Sequence, residues 1–424
     1  MKKFLWIVPF FYAAALLLFV LPGCLKDTYR ETYKIYIPVY KSLTETRADM
    51  KSGPARSLEA PGKLNVFGNY IFLNEQGKGI HVIDNSNPAS PKNISFINIP
   101  NNFDLAVKGS YLYADSYSDI AVLDISQPAN VRAVSFLNNV IKDKNRYWYG
   151  TTSHPDSVKV IVDYIERDTT VDPRQYRQWA TCRNCLYASF DMRSSFSLSS
   201  STQTGVGGSM ARLTIVNDYL YGVSNSDLYA MNISNAASPQ LTATRNLGWN
   251  IETIYPFKDR LFIGSRTGMF IYSLNNPAQP TQMSQFSHAR SCDPVIADDD
   301  YAYVTLRTGS SCDGFNNQLD ILNIANLSAP SLIRTVKMTN PHGLAKDGDK
   351  LFICDGADGL KMYDVSKRTS VELQRHVRGL NTFDVVAMQG NAIVVAEDGL
   401  YQYSYNQNGA SLAQISKMSI QAKK

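Results

Sequence analysis

Apolar residues along this chain fall into short runs. Segments such as Leu105-Ala106-Val107, Tyr111-Leu112-Tyr113-Ala114 and the alternating Ile80-His81-Val82-Ile83 are bounded by Gly, Asn, Asp, Ser and Pro. That is the pattern of β-strands joined by tight turns. A longer rhythm lies over it. Gly79-Ile80-His81-Val82-Ile83-Asp84 returns as Asp119-Ile120-Ala121-Val122-Leu123-Asp124, each followed by a Pro-bearing turn, with the two aspartates 40 residues apart. Asn232, Ser273, Asn323, Asp364 and Ser404 hold the same position further on, at successive spacings of 41, 50, 41 and 40 residues. Only the step from Asp124 to Asn232 breaks the rhythm, containing one period plus roughly 68 added residues.

Strand-like units repeating every 40 residues or so predict propeller blades. Each unit reads as four strands: a buried one such as Leu105–Val107, a second such as Tyr111–Ala114, an alternating third, and a fourth such as Val131–Phe136 after the proline turn. Proline suits that connection because it lies outside the hydrogen-bonded ladder. A small polar residue ending the third strand can accept backbone N–H bonds and close the turn. The predicted fold is therefore all-β: a seven-bladed β-propeller of four-stranded blades over residues 63–416, with a roughly 70-residue insertion at 138–208 between blades two and three and a tail at 417–424.

The repeat Ile80 to Asp84 (IHVID) and its partner Ile120 to Asp124 (IAVLD) resemble the signature of LVIVD-repeat proteins, a propeller family found among secreted and lipoprotein chains of bacteria. The resemblance is sharp in the first two units and degenerate where Asn232, Ser273, Asn323 and Ser404 replace the aspartate. It implies a propeller and no particular activity, since one fold hosts many.

The N-terminus supplies a location. Met1-Lys2-Lys3 precedes an apolar run from Phe4 to Leu21 that ends in Leu21-Pro22-Gly23-Cys24, the layout of a secretory signal over residues 1–23. A membrane-spanning helix is the alternative, because about 18 apolar residues can cross a bilayer. Cys24 favours cleavage, since its Leu-x-Gly-Cys setting resembles the lipobox of bacterial lipoproteins. Diacylglycerol and palmitate-type acyl chains on Cys24 would then hold the chain on a membrane. Leu25-Lys26-Asp27 resembles the export signal that carries lipoproteins of Bacteroidetes-type bacteria to the outer face of the outer membrane. The expected location is thus the outer membrane, lipid-anchored and exposed at the cell surface, with a periplasmic orientation as the alternative. Residues 24–62 read as a lipidated tether carrying a strand at Tyr33–Tyr40 and a short polar helix at Lys41–Met50.

In a propeller, the connections from fourth to first strand and from second to third strand emerge on one face. The large insertion belongs to the first kind and the stretch Arg307 to Gln318 in blade five to the second, so both should crowd that face, where binding loops are commonly carried. The insertion is rich in aromatic residues, including Tyr147-Trp148-Tyr149, Tyr164, Tyr176, Trp179, Tyr187 and Phe190, with a strand at Val158–Ile165 and a loose Ser/Gly-rich stretch at Ser194–Gly208. Flat rings can recognise a glycan or protein. They can equally form a small core of the insertion's own, and that reading is favoured for most of them.

An exported chain can form disulfides. Cys182 and Cys185 are placed to staple the insertion, and Cys292 and Cys312 to pin the long loop of blade five, while Cys354 reads as a buried free thiol. No further ligand pair accompanies Cys182 and Cys185 to make a zinc site.

Asp104, Glu252, Asp293, His342 and Asp384 recur at the start of the innermost strand and would ring the channel mouth. Crowded carboxylates there can hold Ca2+ through oxygen ligands or raise one another's pKa for acid–base chemistry. The competing and favoured explanation is that each repeat needs a polar cap at that point. No nucleophile stands beside a base, only five histidines are present, and no cofactor motif appears. Net charge is +5 with no long basic run, which argues against nucleic acid. The expected role is a non-catalytic scaffold that binds protein or glycan through its insertion-bearing face. The alternative is a hydrolase or lyase acting at the acidic ring.

The anchor has a direct test. Expressed in a host that processes lipoproteins, the wild-type chain should enter the detergent phase of a Triton X-114 separation and label with radioactive palmitate. Cys24→Ser should do neither, and labelling of that variant would exclude Cys24 as the acceptor.

Overall fold

A computed structural model describes residues 31–141, 148–149, 158–171, 204–287, 294–307, 317–367 and 370–420. Seven antiparallel four-stranded sheets form a β-propeller ring, spanning residues 61–98, 105–137, 213–246, 251–287, 295–337, 344–377 and 382–419 as blades 1 to 7. The four strands of each blade lie in chain order. Burial falls from the axis outward. The first strand of blade 1, Pro61–Phe67, is buried at all but its last residue, whereas the fourth strand of blade 5, Ser331–Lys337, is almost wholly exposed.

Apolar side chains from neighbouring blades interlock, as where Phe72, Ile80 and Val82 of blade 1 join Leu105, Val107 and Leu112 of blade 2 in one cluster. At about 25 cal/mol per Å2 of apolar surface, such inter-blade burial is the main force holding the ring together. Every blade is built from one continuous stretch, so no strand exchange closes the circle. Closure rests on Leu64, Ile71 and Ile83 of blade 1 packed against Val386, Ile393 and Leu400 of blade 7. It is reinforced by a reciprocal amide pair, Asn85 with Gln402, at 2.6 and 3.2 Å, and by Ser416 Oγ donating to the Pro88 carbonyl.

The turn after the third strand behaves as its polar residue predicts. Asp84, Asp124, Asn232, Ser273, Asn323 and Asp364 each accept the backbone N–H two residues on, at 2.8–3.2 Å. Bonds from Ser126 hold the Asp124 carboxyl below the usual carboxylate range. Ser404 departs from the pattern, its hydroxyl lying 3.5 Å from the Ala413 carbonyl.

Chain before the propeller does more than tether. The strand Glu31–Ser42 is longer than expected and pairs with Lys159–Val171 of the insertion rather than with a blade, Trp148–Tyr149 completing that sheet. The helix Leu43–Ala48 follows, closed by a capping box between Ser42 and Glu45. Ser52–Gly53 then adds to the outer edge of blade 1, while the Met50 carbonyl accepts from Ala133 N of blade 2 and Ser52 N donates to Val131. One short segment therefore sews the outer strands of two blades together.

The end of the insertion was expected to be loose, yet residues 204–211 run along the inner edges of the blades. Val206–Gly207 pairs antiparallel with Asn65 and Val66 on the first strand of blade 1. Gly205 N donates to Val107 of blade 2, Gly208 N to Leu64, and Ala211 accepts from Ile254 N of blade 4. Ser209 Oγ lies 3.4 Å from Leu344 N of blade 6. The channel is lined on four sides by bonds to this segment. Glycine is needed for the close approach: a Cβ on Gly205 would sit 1.9 Å from Asn65 Oδ1 and 2.9 Å from Val107 Cβ. Gly205→Ala should therefore lower unfolding stability by about 1–3 kcal/mol in urea titration; an unchanged midpoint would show that the channel tolerates looser packing.

Candidate functional site

Asp104, Glu252, His342 and Asp384 lie at the entries to first strands, each committed to a different local task. Asp104 is 2% exposed and just precedes the strand Leu105–Lys108. Its Oδ2 pairs with Lys63 Nζ at 2.6 Å, accepts Leu213 N at 3.1 Å and also accepts Arg212 N; Oδ1 accepts Leu105 N at 2.7 Å. Lys63 belongs to blade 1 and Arg212 and Leu213 to the entry of blade 3, so one carboxylate joins three blades. Burial pushes the Lys63 ammonium below its ordinary pKa and Asp104 opposes that shift, as expected for a desolvated pair.

Glu252, on the strand Ile251–Phe257, pairs with Arg266 Nε at 3.0 Å. The Arg212 guanidinium donates to the carbonyls of Ile251 and Glu252. His342 is buried, with Nε2 3.1 Å from Asn340 Nδ2 and its ring edge-on to Phe383, while its carbonyl accepts from Thr305 Oγ1. Asp384 is buried on the strand Thr382–Met388, close enough to Cys354 to add to the effect of burial in raising that thiol's pKa. Asp293 lies outside the described residues. Among those described, no group of three or more His, Cys, Asp or Glu side chains is placed to hold a metal ion. Both Asp104 oxygens already take protein donors, so this carboxylate has little left to offer Ca2+, an ion that takes six or more oxygen ligands.

Cys354 is a free, fully buried thiol at the end of the strand Lys350–Cys354. The pairs expected of Cys182 with Cys185 and Cys292 with Cys312, and the acceptor Cys24, fall outside the described residues.

A second set of carboxylates lies beyond the predicted ring, and one of them, Asp355, in a stretch that reads from sequence as a solvated turn, is fully buried. Glu75, Asp115 and Asp355 close the second strands of blades 1, 2 and 6. Each accepts two consecutive backbone N–H groups of the chain entering its own blade: Glu59 and Ala60, Phe103 and Asp104, Thr339 and Asn340. Such charge-assisted bonds are roughly twice as strong as neutral ones. Their signal was present in the 40-residue step from Glu75 to Asp115.

The insertion-bearing face is assembled as the topology requires. Val140 N and Ile141 N donate to Ser118 O in the second-to-third turn of blade 2, and Leu247 N and Ile251 N to Ser226 O and Asn225 O in that of blade 3. The N-terminal helix docks on the same face. Arg47 Nη2 reaches Asp119 and Asn138, both at 2.6 Å, and its guanidinium lies over Phe136. Leu43 packs with Tyr117, Val158 and Val160.

The LVIVD repeat model matches residues 62–97, 102–136, 207–246 and 289–338. The chain carries LVIVD repeats. The matches cover blades 1, 2, 3 and 5; blades 4, 6 and 7 share the four-stranded build but lie outside the matched residues. No curated protein matches the sequence. Similar solved structures include the periplasmic gluconolactonase of Pseudomonas aeruginosa, with a TM-score of 0.52 and 11% identity over 85% of this chain and 96% of that one. A protein from Lactobacillus plantarum has a TM-score of 0.51 and 12% identity over 85% and 98%. At these identities the likeness is one of fold.

The structural reading of Asp104 predicts that Lys63→Met, which leaves a buried carboxylate without its cation, should cost about 3–5 kcal/mol in chemical denaturation. A loss under 1 kcal/mol would show that the pair is dispensable and Asp104 free for other work.

Proposed function

We propose that this protein is a non-catalytic interaction scaffold, anchored through lipid on Cys24 at the outer membrane or cell surface, whose protein or glycan partner docks on the insertion-bearing face. One observation carries the reading. Asp104 is spent on joining three blades and Glu252 on pairing Arg266 within blade 4, and the channel beside them holds residues 204–211, while the N-terminal helix and the insertion ends gather on one face. Rigid scaffolds commonly carry their binding residues on such connections.

Hydrolase or lyase chemistry at the ring draws no particular support from the geometry. The fold shared with a gluconolactonase does not transfer an activity.

Photo-crosslinking on intact cells tests the scaffold reading. A photo-reactive residue at Thr267, on the insertion-bearing face, should give discrete adducts, whereas one at Asp259, in the first-to-second turn on the opposite face, should not. Adducts from Asp259 alone would overturn the assignment of the face. A measured turnover lost in a folded Glu252→Gln variant would favour the enzyme.

A further inference from the structure

Trp249 is 78% exposed, the highest value among the large apolar side chains left exposed in the described residues. Leu241, Leu332, Leu373 and Val134 are exposed at 42–50% on fourth strands at the outer rim. Trp249 lies instead in the connection from blade 3 to blade 4, on the insertion-bearing face. Scattered surface apolar residues are ordinary, and exposure alone does not mark a site.

The repeat supplies an internal comparison. Gly248-Trp249-Asn250 corresponds to Gly379-Leu380-Asn381 between blades 6 and 7, and the backbone bonds match. Arg266 N donates to Asn250 O as Glu397 N does to Asn381 O, and Ile251 N donates to Asn225 O as Thr382 N does to Gly356 O. In the later loop Leu380 is half-buried against the core and lines an open cleft of about 460 Å3 with Ala357, Asn381, Glu397 and Asp398. The fold can therefore tuck an apolar side chain in at this position. It does not do so at Trp249. Both loops have a left-handed glycine, at φ +101° for Gly248 and +81° for Gly379, but only the Trp249 loop adds a left-handed non-glycine, Asn250 at +64°. That conformation is uncommon outside glycine, and here it accompanies a ring turned outward.

The surroundings identify the occupant. Residues corresponding to the cleft lining are Ser226, Arg266 and Thr267, with exposed Asn225 and Asn246 beside them. Ser226 and Thr267 carry hydroxyls and Asn225 and Asn246 amides; Asp227 accepts from Ser226 Oγ and Asn246 Nδ2, and the Arg266 charge is balanced by Glu252. A protein hot spot sets its aromatic anchor in a well-packed, desolvated pocket; among the described residues this exposed ring is bordered by polar side chains. A pyranose matches that arrangement, with C–H groups on one face for the indole and hydroxyls at its edge for the rim. We infer that Trp249 and the flanking turns of blades 3 and 4 form a carbohydrate-binding platform for a hexopyranose unit of a glycan. This deepens the scaffold reading and rests on it.

The test uses the mature chain on an array of neutral and uronate-bearing oligosaccharides, with calorimetric titration of any hit. Wild type should bind at least one glycan, Trp249→Ala should weaken that binding about tenfold or more, and Trp249→Phe should largely preserve it. Because the ring is exposed, Trp249→Ala should melt as wild type does. Equal glycan affinity in wild type and Trp249→Ala would overturn the platform. An array with no hit, alongside protein adducts at Thr267, would overturn the glycan inference and leave the scaffold standing; no hit and no adducts would overturn both.

Discussion

The carboxylate of Asp104 is the contact on which most of the inner architecture converges. It neutralises Lys63 from blade 1, caps its own strand through Leu105 N, and receives Arg212 N and Leu213 N where the chain enters blade 3. A buried ion pair gains little over apolar packing, so its value here lies in placement. It fixes where the chain re-enters the ring after a long excursion. From that point Arg212 reaches on to the carbonyls of blade 4, and the preceding residues are drawn along the inner edges of blades 1 and 2. A seventy-residue insertion is compatible with a rigid ring because both of its ends are pinned, one at Ser118 and the other in the channel.

Much of this was legible in the sequence because it repeats. Strand periodicity, the 40-residue step and the turn residue from Asp84 to Asp364 are local features, and blades 1 to 6 reproduce them with their own side chains. The candidate site was less legible because its meaning depends on partners outside the repeat unit. Asp104 and Glu252 looked alike in the aligned units, yet one finds a lysine from the preceding blade and the other an arginine fourteen residues on. Lys63, a cation inside the apolar strand Pro61–Phe67, was the available signal that a buried acid must lie nearby.

The channel segment was misread for a related reason. Gly205-Val206-Gly207-Gly208 has the composition of a flexible linker, and composition alone does not distinguish glycine used for freedom from glycine used for close approach. Here Gly205 serves the second purpose. Trp249 makes no pattern in the sequence because it is a single aromatic residue in a loop; its meaning emerges only from comparing its connection with the counterpart between blades 6 and 7. Repetition thus made the fold readable, and departures from repetition mark the places where this protein is individual.

The central claim is that the inner acids and the channel are structural, leaving recognition to one face. Hydrogen–deuterium exchange of the mature chain, resolved to single amides, tests it most directly. Gly205, Gly208, Arg212 and Leu213 N–H groups should exchange as slowly as the inner strands of blades 1 and 2, because each is bonded to them or to Asp104. Exchange of these four amides at the rate of exposed turns would contradict the account and reopen the channel as a site.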